Sequence, residues 1–320
     1  MGYSSDLQQL EPLFSKSDFP PHSVWERRFS TVYENAHGYI ACRKFNEGLI
    51  LGGDPVLKSG ACYSSFFKEL KEDHPKSAIT GYYFSKKVAQ ESCWRTFKAG
   101  TSEILDMETF SLKGHRARDL RRAKNHCPKL NVKFSLLEGK RLKNYKKRIN
   151  QLYGIWLGSK PGPVIRFLLG PPVVKENDKV FVAVDENDEL KGYLICCPYS
   201  SQKCYYLDQF VRHPTTNKFV MDNLILHAIE HFEAEGVRQL SFGFSAFNAV
   251  TIKGPISTAL WLKSKTDWFY PNRSLLHYKS KFTTHRECRY ILMSPEGATW
   301  KQISLLLKGT FKNEPRPLQL

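Results

Sequence analysis

Apolar residues along the chain switch repeatedly between a spacing of two and a spacing of three to four, which predicts strands alternating with helices. Tyr39–Arg43 and Leu49–Leu51 read as strands around a turn at Asn46-Glu47-Gly48, and Gly52-Gly53-Asp54-Pro55 breaks the chain after them. Tyr63–Glu72 has helical spacing, Ala78–Phe84 is an aromatic-rich strand, Val88–Phe97 suits a second helix and Ser102–Met107 a further strand. Arg116 to Lys124 holds neither Pro nor Gly and predicts a helix that Pro128 stops. Its Leu120 and Ala123 turn inward, while Arg118, Arg121 and Arg122 share an outer face. Lys143–Leu157 predicts another helix, with Tyr145, Ile149, Leu152, Tyr153 and Trp156 as its apolar stripe, and Gly158–Pro172 reads as a loop.

The second half is more regular. Val180–Val184 and Leu190–Pro198 predict a hairpin around Glu186-Asn187-Asp188, and Cys204–Val211 a third strand. Asp222–Glu235 is an amphipathic helix with Leu224, Ile225, Ala228, Ile229 and Phe232 on one face, ended by Gly236. Gln239–Phe242 predicts the next strand. Three strands, a helix and a strand in this order form the core of the N-acetyltransferase (GNAT) fold.

Charge changes this picture most. The 320 residues carry a formal net charge of +17. The run from Lys113 to Arg148 alone holds 14 Lys/Arg against Asp119 and Glu138, a net +12. A field of that size attracts a polyanion, either tRNA or an anionic membrane surface; the plainer alternative is a solvated helix face. The eight cysteines form no C-x-x-C pair and read as reduced thiols. No stretch has the length of a membrane span and no signal peptide is visible, so a cytoplasmic protein, peripheral at the membrane, is expected. The N-terminal Met-Gly lacks the Ser/Thr spacing of a myristoylation site.

Several short motifs fall in a fixed order. They are Gly53-Asp54-Pro55; Phe110-Ser111-Leu112-Lys113-Gly114 leading to Arg121 and Ala123-Lys124-Asn125; Tyr206-Leu207-Asp208 with Arg212; and Met221-Asp222 with Leu224-Ile225. Leu240-Ser241-Phe242-Gly243 and Tyr278-Lys279-Ser280-Lys281-Phe282, with Arg289-Tyr290 downstream, complete the series. Over roughly residues 36–293 the chain thereby resembles the C-terminal synthase domain of bacterial phosphatidylglycerol lysyltransferases. The resemblance implies an α/β fold of tandem GNAT-like domains; with the polar, Pro-containing extension over 1–35 anchored by Trp25 and Phe29, the expected division is an N-terminal domain over 36–135 bearing the basic helix and a C-terminal domain over 136–320. It also implies transfer of an amino acid from aminoacyl-tRNA to a lipid hydroxyl, with no cofactor beyond the donor. Expected partners are tRNA, a membrane lipid surface and an aminoacyl-tRNA synthetase. The bacterial enzymes carry a membrane flippase ahead of this domain, and free-standing fungal relatives aminoacylate sterols, so the acceptor that the resemblance implies is phosphatidylglycerol or a sterol. The family's strand motif D-L-M-R-R stands here as Asp208-Gln209-Phe210-Val211-Arg212, keeping only the outer Arg, which bears on head-group recognition.

The expected site follows from these residues. An aminoacyl ester is already activated, so positioning and oxyanion stabilisation suffice for transesterification. Lys279 and Lys281 read as alternating on a strand and sharing one face, to hold terminal phosphates or a developing oxyanion; the alternative is a surface pair on an edge strand. Asp208 is placed to bind an α-ammonium or orient the acceptor hydroxyl, or else to pair structurally with Arg212. Arg212, Tyr206, Asp54 and Ser241 are the expected substrate-binding residues, Asp54 also serving as plain turn chemistry. Lys113, Arg116, Arg118, Arg121, Arg122 and Lys124 are expected to bind tRNA. Use of acetyl-CoA is disfavoured, because the link VRHPTTNKFVMD has no glycine and Pro214 lacks an N–H. His227 and His231 stand at i, i+4 without a third ligand, so no metal is expected. Gly243-Phe244-Ser245-Ala246-Phe247 lacks the final Gly of a nucleophile elbow. Trp261–Tyr270 is a candidate membrane contact.

Overall fold

A computed structural model describes residues 3–4, 31–160, 170–199, 203–246, 272–295 and 299–311. Trp25, Phe29, most of the Gly158–Pro172 loop and Trp261–Tyr270 lie outside the described residues. The strands are β1 Tyr3–Ser4, β2 Thr31–Asn35, β3 Gly38–Phe45, β4 Gly48–Gly52, β5 Val56–Leu57, β6 Ala78–Phe84, β7 Arg95–Asp106, β8 Val132–Leu137, β9 Lys179–Asp185, β10 Leu190–Tyr199, β11 Cys204–Arg212, β12 Gln239–Ala246 and β13 His285–Met293. The helices are α1 Tyr63–Asp73, α2 Lys86–Glu91, α3 Arg118–His126, α4 Gly139–Gly158, α5 Phe219–Ala234, α6 Asn272–Ser280 and α7 Thr299–Phe311. The strands make one mixed sheet in the order β1-β2-β3-β4-β6-β13-β7-β12-β11-β10-β9-β8, with β5 on β3.

Both faces of the C-terminal half are covered, which explains why its strands read as continuous apolar runs. Phe181, Ala183, Leu194 and Cys196 pack on one side beneath α5 and α3. Val180, Val182, Val184, Tyr193, Ile195 and Cys197 pack on the other side beneath α4. The N-terminal half has its own core of Ile40, Ile50, Leu51, Phe66, Phe67, Phe84 and Leu305.

Packing divides the chain elsewhere than at 135/136. β8 pairs with β9, and α3 packs on α5, so the basic helix belongs with the C-terminal half. β13 returns to lie between β6 and β7, and α7 covers the N-terminal half: Gln302 Nε2 donates to the Ile79 carbonyl at 3.2 Å. The helix expected over Val88–Phe97 stops at Glu91, and Arg95 begins the 12-residue β7. Pairing with β13 on one side and β12 on the other overrides the local helical spacing.

The basic run is also divided. Its first part lies on α3, and Lys140, Arg141, Lys143, Lys146 and Lys147 are exposed on α4, on the opposite face of the sheet. Lys133 lies on the edge strand β8 between the two. The concentration of charge along the sequence is therefore not one patch in space.

Candidate active site

β11 and β12 run parallel but pair over only three residues, Cys204–Tyr206 with Gln239–Ser241. Beyond them β11 continues to Arg212 and β12 to Ala246 without pairing, so the sheet opens as a wedge. Asp208 marks the split on β11. Gln209 pairs with Ile195 and Leu207 with Cys196, so Asp208 is the extra residue of a β-bulge. A bulge re-aims a side chain and shifts the alternation after it. Phe210 consequently packs towards α5, and Val211 into the core under α4. Gly243 marks the split on β12, with φ 74° and a register shift against β7. A Cβ there would lie 2.7 Å from the Tyr206 hydroxyl, so glycine lets Tyr206 reach across the wedge. Ser241 is fully buried, and its Oγ accepts the Gly243 N–H at 3.3 Å.

The equivalent opening in the N-terminal half is stitched shut. β4 and β6 pair in parallel over Gly48–Gly52 with Ala78–Tyr82, and the Gly53 N–H then donates to the Tyr82 carbonyl at 3.0 Å. Asp54 continues the seam: its Oδ1 accepts the Ser85 N–H at 2.8 Å. Burial pushes the Asp54 carboxyl up to about 6, against the downward pull of the Ser85 bonds and of Arg289. Asp54 therefore closes one cleft rather than joining Asp208 in the other.

The wedge is filled from α6. Tyr278 stacks on Phe210 with ring centres 6.0 Å apart, and Phe282 stacks on Phe242 at 5.4 Å. Lys279 and Lys281 do not lie on a strand: Lys279 is in the last turn of α6 and Lys281 follows its end. Leu275, Tyr278 and Phe282 stand at i, i+3, i+7, a helical spacing that prevails over the alternation of YKSKF. The two amines accordingly part. Lys279 Nζ donates to the Phe244 carbonyl on β12 at 3.0 Å. Lys281 Nζ bonds Asp222 Oδ2 at 3.3 Å and lies 4.8 Å from the centre of the Tyr278 ring. Neither is an exposed edge-strand lysine. Lys279 is 4% exposed, and burial lowers its amine to about 8, with Glu103 pulling the other way.

Asp222 is 1% exposed in the first turn of α5. It and Tyr278 are site-lining groups to which sequence reasoning gave no role; a carboxylate inside the apolar face Leu224–Ile225–Ala228 was the available signal. Burial first, then Asp222, holds the Tyr278 hydroxyl well above its ordinary value, while Arg212 pulls it down. Arg212 is lowered by burial and raised by Tyr278 and Asp222. Arg212, Asp222, Tyr278 and Lys281 thus form one coupled cluster. No ion pair joins Arg212 to Asp208 among the described residues; Arg212 Nη1 donates to the His213 carbonyl at 3.4 Å.

The turn leading into α5 spends its N–H groups on itself. Thr215 N donates to His213 Nδ1, Thr216 N to His213 O, Phe219 N to Asn217 Oδ1 and Val220 N to Asn217 O. A pyrophosphate would have to displace these bonds. His227 packs against Phe181, His231 pairs with Glu235 at 3.1 Å, and no cluster of metal-ligating side chains occurs among the described residues.

Of the six residues expected to bind tRNA, two serve the fold. Arg121 Nη1 donates to the Leu112 and Gly114 carbonyls at 2.7 and 2.6 Å, which turns it away from the face shared with Arg118 and Arg122. Arg116 Nη2 donates to the Thr283 carbonyl at 2.9 Å. Lys124 pairs with Glu230 at 2.8 Å and Arg118 with Asp119 at 3.9 Å, while Lys113 and Arg122 are exposed.

Two GNAT-like halves share one mixed sheet, one cleft closed and the other lined by Lys279 and Lys281, and together define a tandem GNAT-like α/β scaffold. The chain belongs to the family described as phosphatidylglycerol lysyltransferase, C-terminal, which matches residues 22–293. It is 21% identical over 328 aligned residues to a phosphatidylglycerol lysyltransferase of Staphylococcus aureus strain MRSA252, covering 95% of this chain and 38% of the relative. The Staphylococcus epidermidis relative is 20% identical, with 96% and 38% covered. The chain therefore spans well under half the length of these relatives. Among solved structures, a C-terminal domain ascribed to a lysylphosphatidylglycerol synthetase of Agrobacterium fabrum matches with TM-score 0.76 and 16% identity, over 94% of this chain and 95% of that one. L-PGS from Bacillus licheniformis matches with TM-score 0.74 and 16% identity, over 98% and 99%. No helix among the described residues is long and apolar enough to cross a membrane.

Proposed function

We propose that this chain transfers an amino acid from aminoacyl-tRNA to a hydroxyl of a membrane lipid, phosphatidylglycerol or a sterol, with no cofactor beyond the charged tRNA. The observation that carries the reading is Lys279, a buried amine lowered to about 8 and pinned to the Phe244 carbonyl at the wedge. An amine so placed is partly neutral near physiological pH and can act as a general base. In its neutral form Lys279 accepts the proton of the lipid hydroxyl as that oxygen attacks the ester carbonyl. The carbon–oxygen bond to the terminal ribose then breaks, and the ribose oxygen takes a proton. Lys281, held between Asp222 and the Tyr278 ring, supplies positive charge for the developing oxyanion. Asp208, set forward by its bulge, receives the α-ammonium of the amino acid, and Arg212 and Tyr206 border the acceptor.

Family membership supports the reaction class, and the self-bonded turn before α5 disfavours acyl-CoA as donor. The protein would work at the cytoplasmic membrane surface as a peripheral enzyme, supplied by an aminoacyl-tRNA synthetase. The test is incubation with total tRNA, a synthetase extract, one labelled amino acid at a time, and vesicles with or without phosphatidylglycerol or sterol. RNase-sensitive label in the organic phase is the expected result. Tight tRNA binding without transfer for any amino acid would instead favour a non-catalytic tRNA- or membrane-binding module, a reading that the altered Asp208–Arg212 motif keeps open.

A further inference from the structure

Once the cations of α3 are matched to their partners, few remain without one. Lys124 and Arg118 face acids and Arg121 faces carbonyls, as does Arg116 just ahead of the helix. Arg122 is left, and it meets a second cation from a different element. Its guanidinium lies 5.9 Å from the centre of the Phe219 ring, and Lys218 Nζ lies 5.4 Å from the same ring. The His126 ring is 5.2 Å away from it. Neither Arg122 nor Lys218 has an acidic partner among the described residues. One half-buried aromatic thus collects two uncompensated cations and an imidazole. The arrangement is braced: Asn223 Nδ2 donates both to the Ala123 carbonyl on α3 and to the Phe219 carbonyl on α5, at 2.9 Å each.

Like charges brought together without an acid lose stability unless a polyanion joins them. Phe219 precedes Asp222 by three residues, about 4.5 Å along the helix axis, and Asp222 holds Lys281 at the wedge. The start of α5 therefore carries Phe219 about one turn before the carboxylate that holds Lys281 at the wedge. Docking on a lipid surface would call for exposed apolar side chains beside the cations. Among the described residues, the exposed large apolar side chains are Ile155, Val173 and Trp300, none of them on α3 or at the start of α5.

We propose that Arg122, Lys218 and His126, gathered on Phe219, grip the single-stranded 3′ end of the RNA donor through its phosphates. The proposal rests on the aminoacyl-tRNA reading above and names the surface that receives the donor.

The experiment measures binding of a labelled hairpin RNA with an unpaired 3′ end, of the same hairpin made blunt, and of vesicles containing phosphatidylglycerol, across a salt titration. The full chain is compared with Arg122→Glu/Lys218→Glu, with the milder Arg122→Gln/Lys218→Gln, and with Lys147→Glu on the opposite face. The charge-reversed protein is expected to lose about tenfold or more in affinity for the unpaired hairpin, and its salt slope to fall by about 1.4, for two single-strand phosphate contacts. The Gln pair is expected to show a smaller loss with the same change in slope. Blunt hairpin and Lys147→Glu are expected to change by no more than about twofold. Equal loss on both hairpins, equal loss for Lys147→Glu, or loss of vesicle binding with RNA binding intact would each overturn the grip. A wild-type chain that binds neither hairpin would instead refute the RNA donor itself.

Discussion

Replacing Lys279 by Met should separate stability from function. The buried amine is lowered from 10.5 to about 8 by desolvation. At about 1.4 kcal/mol per pKa unit, holding it charged below pH 8 costs about 3 kcal/mol. Methionine fills a similar length without charge and leaves the Phe244 carbonyl without this donor, a loss of about 1–2 kcal/mol. The variant is therefore expected to be more stable than wild type at pH 7 by about 1–2 kcal/mol in urea unfolding. The pH dependence fixes the cause. Below about 8 both folded and unfolded amines are charged and the penalty is present in full. Between about 8 and 10.5 the unfolded chain binds the extra proton, so wild-type stability rises with pH and the gap narrows. Transfer activity should fall by about a hundredfold or more throughout. A variant less stable than wild type at pH 7, or a gap identical at pH 7 and pH 9.5, would refute the assignment of a penalised buried amine.

The other predictions concern the two clefts and the basic helix. Gly243→Ala should destabilise by about 2 kcal/mol or more, from the left-handed backbone and the clash with the Tyr206 hydroxyl, and Tyr206→Phe should restore part of that loss in a double-mutant cycle. Asp54 is neutral-favouring: the stability from its raised carboxyl is fully present below pH 3.8 and lost as pH rises through about 6, so Asp54→Asn should flatten that segment of the stability–pH curve and exceed wild type at pH 7.5. Arg121→Ala should lower the melting temperature by freeing the Leu112 and Gly114 carbonyls, whereas Arg122→Ala should leave it within about 1 °C, as scanning calorimetry will read.

Much of this could be read from local pattern, and the exceptions have physical reasons. β9 to β12 and α5 were legible because each is long, periodic and bounded by Gly or turn residues. The start of β7 was not, because Arg95–Phe97 is decided by two neighbouring strands distant in sequence. YKSKF alternates like a strand, and only the wider frame from Leu275 reveals a helix. Asp208 and Arg212 were identified as candidates, but not the bulge at Asp208 that shifts the alternation of the side chains after it. Asp222 and Lys281 are 59 residues apart, and their meeting depends on tertiary packing. The roles of Arg121 and Arg122 diverge for a local reason that composition hides: one finds two carbonyls within reach, the other an aromatic ring.

The position of β13 bears on how the molecule is made. The last strand among the described residues occupies the middle of the sheet, hydrogen-bonded to β6 on one side and β7 on the other. A chain emerging from the ribosome can form β2 to β6 early, but β6 and β7 each keep an open inner edge until residue 293 has been synthesised. Closing that gap joins segments about two hundred residues apart, a slow step on contact-order grounds. Until then two unpaired strand edges are available to other nascent chains. Expression of fragments ending before His285 should therefore give aggregates, and the full chain is a natural client for chaperones that shield strand edges late in synthesis.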